Sequence, residues 1–194
     1  MVDGLCADSR KVRARSRKKG ALLLENIIEQ IFEPQFRQIS LRPVSGNNQI
    51  KGSGITYRPA PDVGEGYYWV QPIRDLCAVT IADLTFKKEV ELNYEHPSFL
   101  AVGNYAPPLV PHFQGVRTEN HLVGYINNAS RFRAGISEGG TMRCVSVTML
   151  PGYFRSFLPK CFSVDHQELV HSVEGLAGMV TMPELEYLFA QICR

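Results

Sequence analysis

Five histidines, His96, His112, His121, His166 and His171, are the residues of this chain best suited to metal or acid–base chemistry. On a β-strand, two imidazoles one residue apart point to the same face, and with a downstream glutamate they converge on a metal ion. No His-x-His pair occurs here. His166 and His171 are five apart in a stretch with helical periodicity, so they miss a common face. A site assembled from His96, His112 and His121 on separate strands is the one arrangement left, and hydrogen-bonded or surface histidines are the expectation. Nucleophilic and nucleotide chemistry fare no better. The chain has no Gly-x-Ser-x-Gly elbow, no phosphate-binding Gly-x-x-x-x-Gly-Lys loop and no Gly-x-Gly-x-x-Gly. Asp62 and Glu65 lie in a turn-forming cluster, where carboxylates are usually solvated. The residues therefore predict no enzyme, no metal and no cofactor.

Binding is better represented. Tyr57, Tyr67, Tyr68, Trp69, Tyr94, Tyr105 and Tyr125 all fall on stretches that read as strands. An aromatic-rich enclosure with a few polar groups is the usual make-up of a small-molecule pocket. Alternation places Tyr67 and Trp69 on one face of their strand and Tyr68 on the other. Tyr57 and Trp69 are the candidate ligand contacts, with Arg131 or Arg133 as the polar partner for an anionic ligand.

The elements that must position these residues are mostly β. The stretch from Gly66 to Tyr105 packs β-branched and aromatic residues between turn signals and reads as four antiparallel strands. Strands are predicted near 53–58, 66–71, 75–86, 89–94, 98–105, 109–114, 120–126, 131–136 and 141–149. Those at 120–126, 131–136 and 141–149 read as consecutive hairpins. Along the last of them Met142, Cys144, Ser146 and Thr148 share one face. Regular short strands of this kind point to a barrel or a double-sheet roll.

Helical periodicity brackets the strands. Leu24, Ile27, Ile28 and Ile31 form one stripe over 21–32, closed by Pro34. After Leu150 the period changes again: Pro151 opens a short helix, and a second runs from 164 to 180 with Asp165 and Glu168 as its start signal. Leu169, Val173, Leu176 and Val180 form a seam on it that suits helix pairing, within the chain or across a dimer. A third helix spans 181–194, with a Thr181-x-x-Glu184 capping box and a stripe of Leu185, Leu188, Phe189 and Ile192.

Charge separates the leading residues from the rest. The total is +2, yet residues 1–20 hold seven basic and two acidic side chains, an excess of +5, so the remainder carries −3. Residues 1–20 read as a solvated basic arm, 21–150 as a helix and barrel, and 151–194 as a helical dimerisation or linker segment. No apolar run reaches the roughly 18 residues of a membrane span. Five scattered cysteines without a Cys-x-x-Cys pair favour reduced thiols in the cytoplasm.

The runs GYYWVQPIRDLCAVTIADLTFKKEVEL, PSFLAVGNY and GTMRCVSVTMLPGYFRSFLP, followed by two amphipathic helices, resemble the amino-terminal sensing domain of AraC-family transcriptional regulators. The resemblance covers about residues 50–194. It implies a cupin-like antiparallel β-barrel that binds a small-molecule effector, followed by two or three helices that form a homodimer. DNA is then contacted only through a helix-turn-helix half, for which this chain has no pattern. No ligand residue is carried over. The competing expectation is a cupin-type metalloenzyme, an isomerase or dioxygenase. A weaker one is a purely structural dimerisation module.

Overall fold

The structure, a computed structural model, describes residues 26–44, 54–105, 121–127, 129–157, 160, 165, 167–168 and 183–192. The basic arm, the 109–114 strand and the seam of Leu169, Val173, Leu176 and Val180 lie outside these residues.

Nine antiparallel strands make up most of it: β1 (Leu41–Pro43), β2 (Ile55–Pro59), β3 (Gly64–Ile73), β4 (Cys77–Phe86), β5 (Val90–His96), β6 (Phe99–Tyr105), β7 (His121–Asn127), β8 (Ser130–Ile136) and β9 (Thr141–Met149). Seven form one sheet in the order β1-β2-β3-β4-β9-β6-β7, and β5 and β8 form a separate pair. The large sheet ends on two edges, so the expected closed barrel is an open sheet with a smaller one across its inner face. Val90, Leu92 and Ile136 of the small sheet share one buried core with Tyr68, Leu84 and Met142 of the large one.

The two expected hairpins do not form. β7 pairs with β6, β8 with β5, and β9 inserts between β4 and β6. Consecutive strands instead pass from one sheet to the other, which lets each bury one face against the opposite layer. Between β7 and β8 the chain therefore crosses from one layer to the other.

Two glycines permit close approaches, one on the inner face and one on the face behind it. A Cβ at Gly103 would strike the Ser146 side chain on the adjoining strand, and one at Gly54 would collide with the Trp69 indole. A side chain at either position would push β6 off β9 or displace the tryptophan.

The leading helix departs from its expected end. A π-helical segment, Ile28–Phe32, runs directly into α1 (Glu33–Gln38), with Pro34 in the first turn of the second piece. Pro34 donates no N–H, and the wider π-helical turn lies immediately before the position where that bond is lost. The apolar stripe thus extends through Ile27, Ile31, Phe32, Phe36 and Ile39, all buried. The Ile27 N–H donates to the Asp75 carbonyl, which ties the helix start to the β3–β4 turn. At the other end the Gln38 side chain both donates to and accepts from the Asn93 backbone of β5.

Past β9 the chain is helical from residue 151, including a π-helical stretch, Tyr153–Phe157, as the proline and aromatic spacing predicts. The Asp165 carboxylate accepts from the backbone N–H groups of Gln167 and Glu168, the expected start signal. The last helix, α2 (Pro183–Ile192), buries Phe189 but leaves Leu188 55% exposed, so Leu188 departs from the predicted stripe. No helix among the described residues is long and apolar enough to cross a membrane.

Candidate functional site

Between the two sheets lies a partly open cavity of about 100 Å³. The large sheet supplies Tyr68 from β3, Phe99 and Tyr105 from β6, and Met142, Cys144, Ser146 and Thr148 from β9. The small sheet supplies Tyr94, His96 and Phe132, and the leading helical segment closes one side with Ile31, Phe32 and Gln35. The four β9 residues are the ones that alternation places together on one face.

Their order gives the cavity a direction. Met142 and Cys144 stand at one end of the β9 row, Ser146 and Thr148 at the other. Met142 pairs across to Leu84, and the Gln35 amide approaches its sulfur at 3.7 Å. At the opposite end β6 begins with Phe99, whose ring meets the His96 imidazole edge-on at 5.2 Å. The polar end of the cavity is therefore the one near His96, Ser146 and Thr148, while the Met142 end sets apolar side chains beside the Gln35 amide.

Most polar groups of the wall are already engaged. The hydroxyls of Thr80 and Ser146 share a 2.7 Å hydrogen bond in the floor. Thr80 also bonds the Tyr68 phenol, which in turn interacts with the Cys144 thiol. Burial pushes the Cys144 thiol up to about 12 and raises the Tyr68 phenol well above its ordinary value, so both stay protonated at neutral pH. Burial likewise raises Tyr94. These groups are held neutral, which suits hydrogen bonding and not nucleophilic attack.

His96 is buried, and its Nδ1 lies 2.9 Å from the Pro97 carbonyl oxygen. A carbonyl only accepts, so Nδ1 carries the proton, and Nε2 faces the Ser130 hydroxyl at 3.3 Å. His112 and the side chain of His121 lie outside the described residues. No group of three His, Cys, Asp or Glu side chains converges among the described residues.

The candidate ligand contacts from the sequence are dispersed. Tyr57 is buried against Phe36, with ring centroids 4.4 Å apart, and is absent from the cavity wall. Its phenol is raised by burial, with Glu33 nearby adding to the effect. Trp69 is buried on the other face of β3, because Tyr57 pairs with Tyr68 while Trp69 pairs with Thr56. Arg131 and Arg133 alternate with Phe132 on β8 and are exposed, with Phe132 taking the inward position. The structure therefore brings none of these four into the cavity. The residues it does bring together include His96, Ser146 and Thr148. The signal for the last two was the β9 alternation, and for the arginines it was the single inward phase of a strand centred on Phe132.

No protein-family model, curated protein or solved structure matches the chain.

Proposed function

We propose that this chain is the effector-binding and dimerisation module of a cytoplasmic AraC-type transcriptional regulator, folded as a cupin-like roll, with its small-molecule effector in the cavity between the sheets. The observation that carries the reading is the cavity itself, walled by aromatic rings and neutral polar groups from both sheets and the leading helix. Its connections support a sensing role. β9 contributes four wall residues and runs straight into the helices after Leu150, so a ligand touching β9 is one strand away from the segment that carries the Leu169, Val173, Leu176 and Val180 seam. That seam pairs two copies, and DNA is met through a separate helix-turn-helix half. For the cavity to act as a switch, the ligand must prefer one arrangement of those helices over another.

A thermal-shift screen of small metabolites tests the reading. The expected result is a saturating, concentration-dependent rise in melting temperature. No hit across a broad library, together with a crystal structure showing the cavity filled by the protein's own side chains, sinks it. Stoichiometric iron, manganese or zinc in the purified protein would favour the metalloenzyme instead.

A further inference from the structure

The cavity discriminates by what its wall lacks as much as by what it carries. Among the described residues no Asp, Glu, Lys or Arg lines it. Arg131 and Arg133 stand on the solvent face of β8 and offer an entering anion nothing. A charged ligand would give up its hydration against a wall without carboxylate, ammonium or guanidinium, the His96 imidazole being its one basic group, and a few neutral hydrogen bonds do not recover that loss.

Thr148 is one of the wall residues with hydrogen-bonding capacity left over among the described residues, and it stands at the end near Phe99 and His96. Thr148 is 4% exposed, and its hydroxyl has no hydrogen-bond partner among the described residues. Its neighbours on the wall are already committed, Ser146 to Thr80 and His96 to Pro97 and Ser130. A buried hydroxyl that finds no partner among the described residues carries a penalty that a bound group can remove.

Size narrows the ligand further. A volume of about 100 Å³ compares with roughly 150 Å³ for a cavity that encloses benzene and falls below the ~300 Å³ of pockets for drug-sized molecules.

We infer that the cavity takes a compact, uncharged ligand, with an apolar body of about one ring among the aromatic walls and a hydroxyl or carbonyl group hydrogen-bonded to Thr148. The inference rests on the effector reading of the cavity and adds the ligand's chemical class. Thr148 can donate to a carbonyl or exchange donor and acceptor roles with a hydroxyl. The apolar body lies toward Met142 and the aromatic rings, where the Gln35 amide is turned to the Met142 sulfur.

Matched probes test it on the full chain at neutral pH by calorimetric or NMR titration. Phenol and toluene differ by one polar group, and benzamide and benzoate differ by one charge. Phenol is expected to bind roughly tenfold tighter than toluene, and benzamide at least roughly tenfold tighter than benzoate. Thr148→Val should erase the phenol advantage and leave toluene unchanged, and Thr148→Ser, which keeps the hydroxyl, should retain it. Benzoate binding as tightly as benzamide, or a phenol preference that survives Thr148→Val, overturns the ligand class while the cavity stands as a binding site. If none of the four probes binds the folded protein, the ligand class falls, and the metabolite screen decides the effector reading separately.

Discussion

Two aromatic clusters of similar composition behave as different materials in this molecule. In the first, Phe36 of α1 sits 4.4 Å from Tyr57, 4.9 Å from Tyr68 and 5.9 Å from Phe32. In the second, Tyr94 lies 5.2 Å from Phe132, and His96 lies 5.2 Å from Phe99 and 6.4 Å from Tyr94. The first joins a helix to β2 and β3 and is filled around Phe36 and Tyr57, while its Phe32 also reaches the cavity wall. The second lies where the small sheet spans the large one, and its rings border empty space. Tyr68 belongs to both: its ring packs on Phe36, and its hydroxyl belongs to the polar floor. Residue type alone does not make a tyrosine core or site; what matters is whether a third element fills the gap behind it.

The largest expected effect separates the clusters by stability. Phe36→Ala removes a ring that is 2% exposed and should destabilise the fold by about 3–5 kcal/mol. Phe132→Ala, half-buried beside a cavity, should cost less, about 1–2 kcal/mol, yet weaken binding of any cavity ligand. Urea unfolding of both variants checks this. Equal losses would mean that the second cluster is core as well.

Alkaline pH acts on the polar floor. Burial holds the Cys144 thiol protonated up to about 12, against an ordinary value of 9.0. Between those values an unfolded chain has released a proton that the native state keeps. The stabilisation is therefore complete below about 9 and is lost as pH rises through about 12. Tyr68 and Tyr94 act in the same sense from an ordinary 10.0. Cys144→Ala should flatten the fall of unfolding free energy across this window, and an unchanged slope would remove the thiol from the linkage.

A smaller contrast lies within the floor itself. Thr80→Val breaks the bond to Ser146 and leaves a buried hydroxyl unpaired, for an expected loss of about 1–3 kcal/mol. Thr148→Val removes a hydroxyl without a partner among the described residues and should change stability by less than about 1 kcal/mol, in either direction. If the two valine variants lose the same amount in chemical denaturation, Thr148 is structurally committed and the contrast disappears.

How much of this could be read in advance divides along the same line. Period-two alternation is a local property, so eight of the strands and the shared face of Met142, Cys144, Ser146 and Thr148 were legible. The short strand Leu41–Pro43 was not, because three residues carry no period. Sheet membership was not legible either: β7, β8 and β9 look like hairpins, and only long-range pairing assigns them to different layers. The same limit misplaced the site. Tyr57 and Trp69 are large and aromatic, but a helix covers the one and the sheet turns the other away. His96 stood out as a possible metal ligand and not as a wall residue, since its Ser130 partner arrives only once β8 lies beside β5.

Arg131 and Arg133 supply the smallest expected effect and a sharp check on the wall's neutrality. Both are exposed and flank Phe132, so truncation removes no packed atoms from the cavity side. Exposed charges of this kind usually contribute well under 1 kcal/mol. Arg131→Ala combined with Arg133→Ala should therefore leave the urea midpoint and the affinity for a neutral probe such as phenol unchanged, while Phe132→Ala between them weakens that affinity. If the double arginine variant instead lowers affinity, β8 presents its other face to the ligand, and the boundary drawn between filled core and hollow site would have to move across that strand.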